Sequence, residues 1–168
     1  QKLLDALENF EFDMEAFEEQ LDRFIDMFEL ALAEQKMDEV IKRLEEMVEE
    51  QIAIVKELVQ DENLDMTAMA SRERRQEESF KTLEQVINEA VDSMEKLSSE
   101  ASQQLSDLAE SELTKTISSD LNDARNEMQN QNQSGATQSA GNASDGLQEM
   151  LDIAQDIQSD FQEDTVDE

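Results

Sequence analysis

Proline, cysteine, histidine, tryptophan and tyrosine are absent from this sequence of 168 residues, and glycine occurs only three times. The glycines lie in one short stretch, at Gly135, Gly141 and Gly146. A β or α/β domain needs turn residues at many points along its chain. Their scarcity predicts long helices, and the abundant Ala, Leu, Met, Glu and Gln are residues that favour helices. We therefore predict an all-α fold.

The missing histidine and cysteine limit the chemistry that the chain can carry. Without histidine there is no Ser-His-Asp triad and no Glu-x-x-His metal site of the kind found in helical bundles. Without cysteine there is no disulfide and no thiol nucleophile. Paired carboxylates such as Glu45 and Glu46 fall on the solvent side of the apolar pattern. We predict no enzymatic activity, no catalytic, metal or cofactor-binding residues, and no small-molecule substrate.

The charge is strongly one-sided, with 44 acidic against 13 basic residues and a formal net charge of −31. Nucleic acids and anionic lipids bind through Lys and Arg, so we predict neither nucleic-acid binding nor membrane contact by this segment. No apolar run approaches the roughly 20 residues of a membrane span. Because the sequence begins at Gln1, inside a helical pattern and without Met, we expect a fragment or processed product of a longer chain.

The first third of the chain has apolar residues at alternating steps of three and four, the a/d pattern of a coiled-coil seam. Asp13 is placed to be an N-cap, with Phe12 and Phe17 at the two hydrophobic-staple positions. This predicts a short helix at about 1–10 and a long helix at about 13–59. The seam consists of Leu7, Phe10, Met14, Phe17, Leu21, Phe24, Phe28 and Ala31.

After Leu32 the apolar register slips, so we expect the first long helix to continue with its buried stripe rotated. The clearest helix break in the first half of the chain is at residues 60–65 (QDENLD), which combine side-chain acceptors with candidate N-caps. A second seam follows this break. Helices are predicted over about 64–128, folded back on the first seam as a hairpin, with an open rod as the alternative. The second seam consists of Phe80, Leu83, Ile87, Ala90, Met94, Leu97, Ala101 and Leu105.

The composition changes near Asn126. Residues 129–145 (QNQNQSGATQSAGNASD) are polar and of low complexity, which predicts a flexible linker. A short amphipathic helix is predicted at 146–162, and residues 163–168 are expected to be a disordered acidic tail. The long helical region, 1–128, is therefore the main body of the predicted domain.

Two polar clusters are candidate binding sites. Residues 61–65 have oxygen ligands at alternate positions but lack the glycine of an EF-hand, so a capped turn is the favoured interpretation. The basic cluster of Arg72, Arg74 and Arg75 could bind an anion or an acidic partner. Pairing along the same helix is the favoured interpretation, with the neighbouring residues Glu73, Glu77, Glu78 and Ser79 as partners.

Residues 12–23 (FDMEAFEEQLDR), with 28–30 and 33–39 after them, resemble the coiled-coil region of large bacterial envelope proteins of unknown function. Residues 121–133, a Gln/Asn-rich gap and then residues 147–150 are similar to that region as well. The resemblance implies membrane spans outside this segment, a location in the bacterial envelope or periplasm, and no known enzymatic role. This chain is far more acidic than the Gln-rich pattern of those proteins.

The leading hypothesis is a structural or interaction module, a spacer or assembly segment whose partner is itself or another helical protein. An alternative is an acidic holdase or adaptor that binds basic or unfolded partners through a Phe/Met surface. A nucleic-acid mimic is a third, which needs acids arrayed on one rigid face. Mixed a and d residues leave the oligomer number and the helix orientation open. The predicted seam or interface residues are Phe10, Phe17, Phe24, Phe28, Phe80, Ile87 and Met94.

Overall fold

The computed structural model describes residues 1–166, and every regular element in that range is an α-helix. The predicted all-α helical bundle is therefore confirmed. The helices in the described range are α1 (Lys2–Gln60), α2 (Met66–Met94), α3 (Ser99–Glu110), α4 (Glu112–Gln129) and α5 (Gln133–Val166).

Four of these helices form a closed ring. Helix α1 packs against α2 and α5, and α4 packs against the same two helices. Short connections join the helices of the ring, so α1, α2, α4 and α5 alternate in direction, as in an up-and-down bundle. Helix α3 is a short segment that packs on α2, α4 and α5. A hairpin of the first and second long helices is present as the α1–α2 pair. The predicted pairing of its seams is wrong, because residues 1–28 are exposed and the second seam packs on α1 from Ala33 onward.

Side-chain caps set the ends of the central helices. The Asp65 carboxylate accepts hydrogen bonds from the backbone N–H groups of Thr67 and Ala68, each at 3.1 Å, and so begins α2. The Asp61 carboxylate accepts from the N–H of Asn63 at 3.0 Å. Both carboxylates therefore serve the backbone, which confirms the capped turn at residues 61–65. Ser111 separates α3 from α4, and its hydroxyl accepts from the N–H of Thr114 at 3.3 Å.

The predicted division of the first helix is wrong. Helix α1 runs without a break through residues 10–13, so Asp13 lies inside a helix and caps nothing. An N-cap bonds backbone N–H groups that have no partner within the helix. The N–H groups after Asp13 already have partners, because in a continuing helix they bond the carbonyls of the preceding turn. With no glycine or proline nearby to disrupt that ladder, a good N-cap residue is not sufficient to start a new helix.

The predicted flexible linker at 129–145 is also wrong for most of its length, since α5 begins at Gln133. This polar segment contains three fully buried alanines, Ala136, Ala140 and Ala143, at steps of four and three residues. That spacing continues in register to the end of the helix. Small residues at these positions let α5 lie close to α4. The rest of the series is Leu147, Met150, Ala154, Ile157 and Phe161.

The boundary predicted for the last helix differs as well. Residues 163–166 continue α5, and Thr165 is buried with its hydroxyl donating to the carbonyl of Phe161 at 2.9 Å. This part of the predicted disordered tail is therefore helical. Residues 167–168 of that tail lie outside the described residues.

Two glycines of α5 provide a test of how closely α4 and α5 pack. A Cβ added at Gly141 meets open space, whereas one at Gly146 would lie 2.7 Å from Cγ1 of the buried Ile117. We expect Gly141→Ala to raise the free energy of unfolding by roughly 0.5–1 kcal/mol through helix propensity. We expect Gly146→Ala to lower it by about 1 kcal/mol, because the overpacking outweighs the same propensity gain.

Urea unfolding followed by circular dichroism measures both variants. If Gly146→Ala stabilised the bundle as much as Gly141→Ala, the close approach of α5 to Ile117 would be contradicted.

Candidate functional site

The first half of α1 projects beyond the bundle. Every residue from 1 to 28 is exposed, and the first buried residue of α1 is Ala33. We call residues 2–28 the arm; at 1.5 Å per residue it is about 40 Å long. Its phenylalanines are unusually accessible for their size, with Phe10 62%, Phe17 59%, Phe24 66% and Phe28 62% exposed.

Most of these apolar side chains lie on one side of the arm. They follow the a/d spacing, with Leu7, Met14, Leu21 and Phe28 at a positions. We call the whole set the stripe, and all of its members are exposed. Phe12, 72% exposed, lies at the outermost f position and so is not part of it. The stripe consists of Leu3, Leu7, Phe10, Met14, Phe17, Leu21, Phe24 and Phe28.

The stripe does not continue the face that α1 turns toward the bundle. That buried face repeats at Met37, Leu44, Gln51 and Leu58, two positions later in the heptad than the a positions of the arm. Two residues turn an α-helix by about 200°, so the two faces lie on roughly opposite sides of α1. The slip in the apolar register after Leu32 is therefore where α1 leaves the bundle.

The base of the arm confirms this orientation. A cleft of about 680 Å³ lies between the arm and the α2–α3 turn, where Lys96 and Leu97 form one wall. The arm lines this cleft with residues that are not in the stripe. The stripe consequently faces away from the bundle and is open along its length. The side of the cleft formed by α1 consists of Arg23, Asp26 and Met27 of the arm, followed by Glu29 and Leu30.

The arm is acidic around its apolar side. Residues 1–29 contain ten acids and two bases, Lys2 and Arg23. Three of the acids flank the stripe: Glu11 and Glu18 at e positions and Asp13 at a g position. The arm is thus an amphipathic surface whose rim is negatively charged.

The structure separates the seven predicted seam residues into two groups. Phe80, Ile87 and Met94 are at most 1% exposed and belong to the main apolar cluster of the bundle. Phe10, Phe17, Phe24 and Phe28 lie on the arm and are each more than half exposed. The second seam is therefore internal packing, and the first seam is an open surface.

A buried polar layer crosses the core and was not anticipated from the sequence. Gln51, Glu73 and Gln76 are all less than 5% exposed. Nε2 of Gln51 donates to Oε2 of Glu73 at 3.3 Å and to the Ala140 carbonyl at 3.2 Å. Nε2 of Gln76 donates to Oε1 of Gln51 at 3.2 Å and to the Met47 carbonyl at 2.8 Å. The layer joins α1, α2 and α5.

The polar layer divides the core in two. The main cluster lies on the arm side of it, and a smaller cluster lies toward the α1–α2 turn. Gln51 falls between Val48 of the first cluster and Ile54 of the second. Gln51 takes the place of an apolar residue in the buried face of α1, between Leu44 and Leu58. A layer of this kind fixes the register of helices more than it stabilises them.

Burial raises the pKa of Glu73 to about 7, and the nearby carboxylates Glu77 and Glu50 add to that shift. The Gln51 hydrogen bond and the Arg72 charge oppose it. A carboxyl that titrates near neutrality can act as a general acid or base. Glu73, however, is 0% exposed. The carboxyl of Glu73 is therefore enclosed within the core of the bundle.

The predicted pairing of the basic cluster along its own helix is wrong for Arg72. Its Nε lies 2.8 Å from Oε1 of Glu50, and its guanidinium also contacts Glu57, so both partners are on α1. Glu77, one of the predicted local partners, instead pairs with Arg125 of α4. Arg72 therefore ties α2 to α1, because it lies on the side of α2 that faces the acidic flank of α1.

Among residues 1–166, no group of three or more Asp or Glu side chains is placed to hold a metal ion. Across the same range, no helix has an apolar stretch long enough to cross a bilayer.

Comparison with protein-family models, with curated proteins and with solved structures finds no match to this chain. The open stripe on the arm is the feature from which a function can be inferred.

Proposed function

We propose that this chain is a non-enzymatic interaction module in which the bundle holds out the arm for association with another helix. Such a module acts as a spacer or assembly segment. The observation that carries the proposal is the stripe: eight large apolar side chains on one face of the arm, each at least 44% exposed. Monomeric proteins seldom expose a contiguous apolar surface of this extent, and where they do it is an interaction site.

The rest of the chain is consistent with this division of roles. The bundle buries its own apolar residues, with Phe80, Phe161 and Leu44 at most 1% exposed. It therefore needs no partner for its own core. Acidic outer faces keep such a body soluble, since a net charge far from zero opposes non-specific association. Burial of the stripe, at about 25 cal/mol per Å², supplies the driving force for specific association.

The resemblance of residues 12–23 and 33–39 to envelope coiled-coil segments supports a place for this module in a larger bacterial envelope protein. Detection of the intact protein in membrane fractions with an antibody against the bundle tests this part of the proposal. Recovery of the full-length product from the cytosol alone would contradict it.

A matched pair of substitutions tests the arm as an association surface. Phe17→Gln places an amide in the stripe, whereas Phe12→Gln makes the same change on the outer side of the same helix. We expect Phe17→Gln to weaken association at least ten-fold, with Phe12→Gln within two-fold of the native chain. A ten-fold change corresponds to about 1.4 kcal/mol, less than the burial of one Phe side chain contributes.

Light scattering with refractive-index detection measures self-association, which suits a chain without Trp or Tyr. Titration with synthetic amphipathic helices measures binding to other helices. The residues that flank the apolar face of these helices are acidic in one, neutral in a second and basic in a third. If neither process distinguished Phe17→Gln from Phe12→Gln, the stripe would not be an association surface and the proposal would fail.

The alternative, an acidic holdase, is favoured by apolar residues off the stripe, since Phe12 and Met27 are 72% and 69% exposed. A holdase would use the whole circumference of the arm to bind unfolded basic chains. It would then lose activity with Phe12→Gln as much as with Phe17→Gln in a turbidity assay of aggregating basic protein. If the native chain suppressed aggregation and both substitutions reduced this activity equally, the holdase proposal would replace the assembly proposal.

A further inference from the structure

We infer that the partner of the arm is the arm of a second copy of this chain, packed antiparallel along the stripe. The inference rests on the proposed function, because it names the partner for the same surface. It commits to a symmetric, isologous pair, the commonest way in which identical chains associate.

The side chains of the stripe are complementary to themselves in this orientation. In an antiparallel pair, each a residue meets a d residue of the other copy. Aligning Met14 with Phe17 of the second copy places the other a and d residues in register, and every layer then combines one Phe with one aliphatic side chain. The layers are Leu3 with Phe28, Leu7 with Phe24, Phe10 with Leu21, and Met14 with Phe17, each occurring twice.

A parallel pair lacks this complementarity. There each residue meets its own counterpart, so four layers would contain two Phe rings and the others two aliphatic side chains. Cores pack best when large and small residues face each other, and uneven layers leave strain in some and voids in others. A parallel pair would also hold two strongly acidic bundles at the same end. The antiparallel pair places them at opposite ends of the joined arms.

The surface is large enough for a stable dimer. A Phe ring that is about 60% exposed has roughly 120 Å² to bury. With the aliphatic members included, the stripes of two copies bury roughly 1,400 Å², which falls within the range of about 1,200–2,000 Å² for specific interfaces. The bundle lies on the opposite face of α1, so it leaves room for a second helix along the whole stripe.

The charged rim makes a distinctive prediction about salt. In the antiparallel pair, Glu11 and Glu18 of each copy meet the same residues of the other, which brings four carboxylates together. Salt screens their repulsion, so the dimer should tighten as the salt concentration rises. A basic helix on the same stripe would show the opposite dependence, because its attraction to the rim would be screened.

The absence of native cysteine permits a direct test of orientation with single spin labels. A label at Lys2→Cys in the dimer should give a distance of about 40 Å, since Lys2 of one copy lies level with Glu29 of the other. A label at Ala16→Cys, near the centre of the arm, is the control. It should give a short distance in either orientation, and both positions lie on the outer side of the stripe.

The dissociation constant of the dimer is measured on the same chains by light scattering, with the protein concentration varied over two decades. The measurement is repeated at NaCl concentrations from about 50 mM to about 500 mM. We expect a dimer whose dissociation constant falls several-fold with salt, together with the long distance at Lys2→Cys. A distance there as short as that of the Ala16→Cys control would overturn the antiparallel pair in favour of a parallel one.

A double substitution tests which residues face each other across the dimer. Leu7→Phe and Phe24→Leu should each weaken the dimer about ten-fold, and the two together should restore it, because Leu7 faces Phe24 of the other copy. Additive losses would contradict that pairing. A chain that stays monomeric at all salt concentrations, yet binds a basic synthetic helix through Phe17, would overturn the second copy as partner and leave the proposed function standing. A chain that binds neither would overturn both.

Discussion

Phe80→Ala is expected to lower the free energy of unfolding by about 3–5 kcal/mol, whereas Phe17→Ala should leave the bundle transition almost unchanged. Phe80 is 1% exposed and lies in the main apolar cluster, so truncation removes buried contacts and leaves a cavity. Phe17 is 59% exposed and its ring loses little on truncation. The same substitution thus distinguishes the internal seam from the open one.

Urea unfolding followed by circular dichroism, at a concentration where the chain is monomeric, measures both variants. Ile87→Val, a smaller deletion in the same cluster, should cost about 0.5–1.5 kcal/mol and calibrates the result. A loss for Phe17→Ala comparable with that for Phe80→Ala would mean that the arm folds back onto the bundle, contrary to the exposed position described above.

Glu73→Gln is expected to stabilise the bundle more at pH 8 than at pH 5, by about 3 kcal/mol at most. The pKa of Glu73 in the folded chain is raised from 4.5 to about 7. Between those values the folded chain keeps a proton that the unfolded chain has released, so native stability falls as the pH rises through this window. Above about pH 7 the loss is complete. Glutamine keeps the shape of the protonated carboxyl and removes the titration.

The difference in unfolding free energy between Glu73→Gln and the native chain, measured by urea unfolding at several values from pH 5 to pH 8.5, isolates this group from the other carboxylates. Glu78→Gln is the matched control, because Glu78 lies on the same helix and is exposed. A constant difference across the range would show that Glu73 does not retain its proton in the folded chain.

The fold class could be predicted from the sequence because composition and period agree. With no proline and three clustered glycines, helices were the available element, and the spacing of Phe80, Ile87 and Met94 marked a buried face. Period alone could not show which seam has a partner inside the chain. The arm and the bundle face have the same kind of pattern, and only the packing of α2 and α5 on residues after 33 distinguishes them.

Composition and apolar period predict different structures for residues 129–145: the composition predicts a linker, and the period predicts the helix that is present from Gln133. Ala136, Ala140 and Ala143 contribute little hydrophobicity, so residues 129–145 looked like a polar spacer. Yet their steps of four and three join without a gap to Leu147. The turn before α5 has no glycine either: Gln131 adopts a positive φ of 62°, a conformation usually left to glycine or asparagine. Composition therefore gave no signal of where the helix begins.

The polar layer was missed for a different reason. Glutamines and glutamates are so frequent here that one more at a buried position does not stand out. Gln51 and Glu73 become distinctive only when α1, α2 and α5 are brought together, since their hydrogen-bond partners lie 22 and 89 residues apart in the chain. A long-range network of this kind has no local sequence signature.

One continuous α1 also determines the direction in which anything bound to the arm points. Between Phe28 and Ala33 the helix has no glycine or proline at which it could swivel. Each residue in that interval therefore sets an azimuth of about 100° and an axial offset of 1.5 Å. One inserted residue would carry a bound partner about a quarter turn around the axis. Seven would restore the azimuth and move the partner outward by about 10 Å. The length of the stretch between Phe28 and Ala33 thus sets the rotation about the helix axis, and the distance along it, between the bundle and a partner bound to the arm.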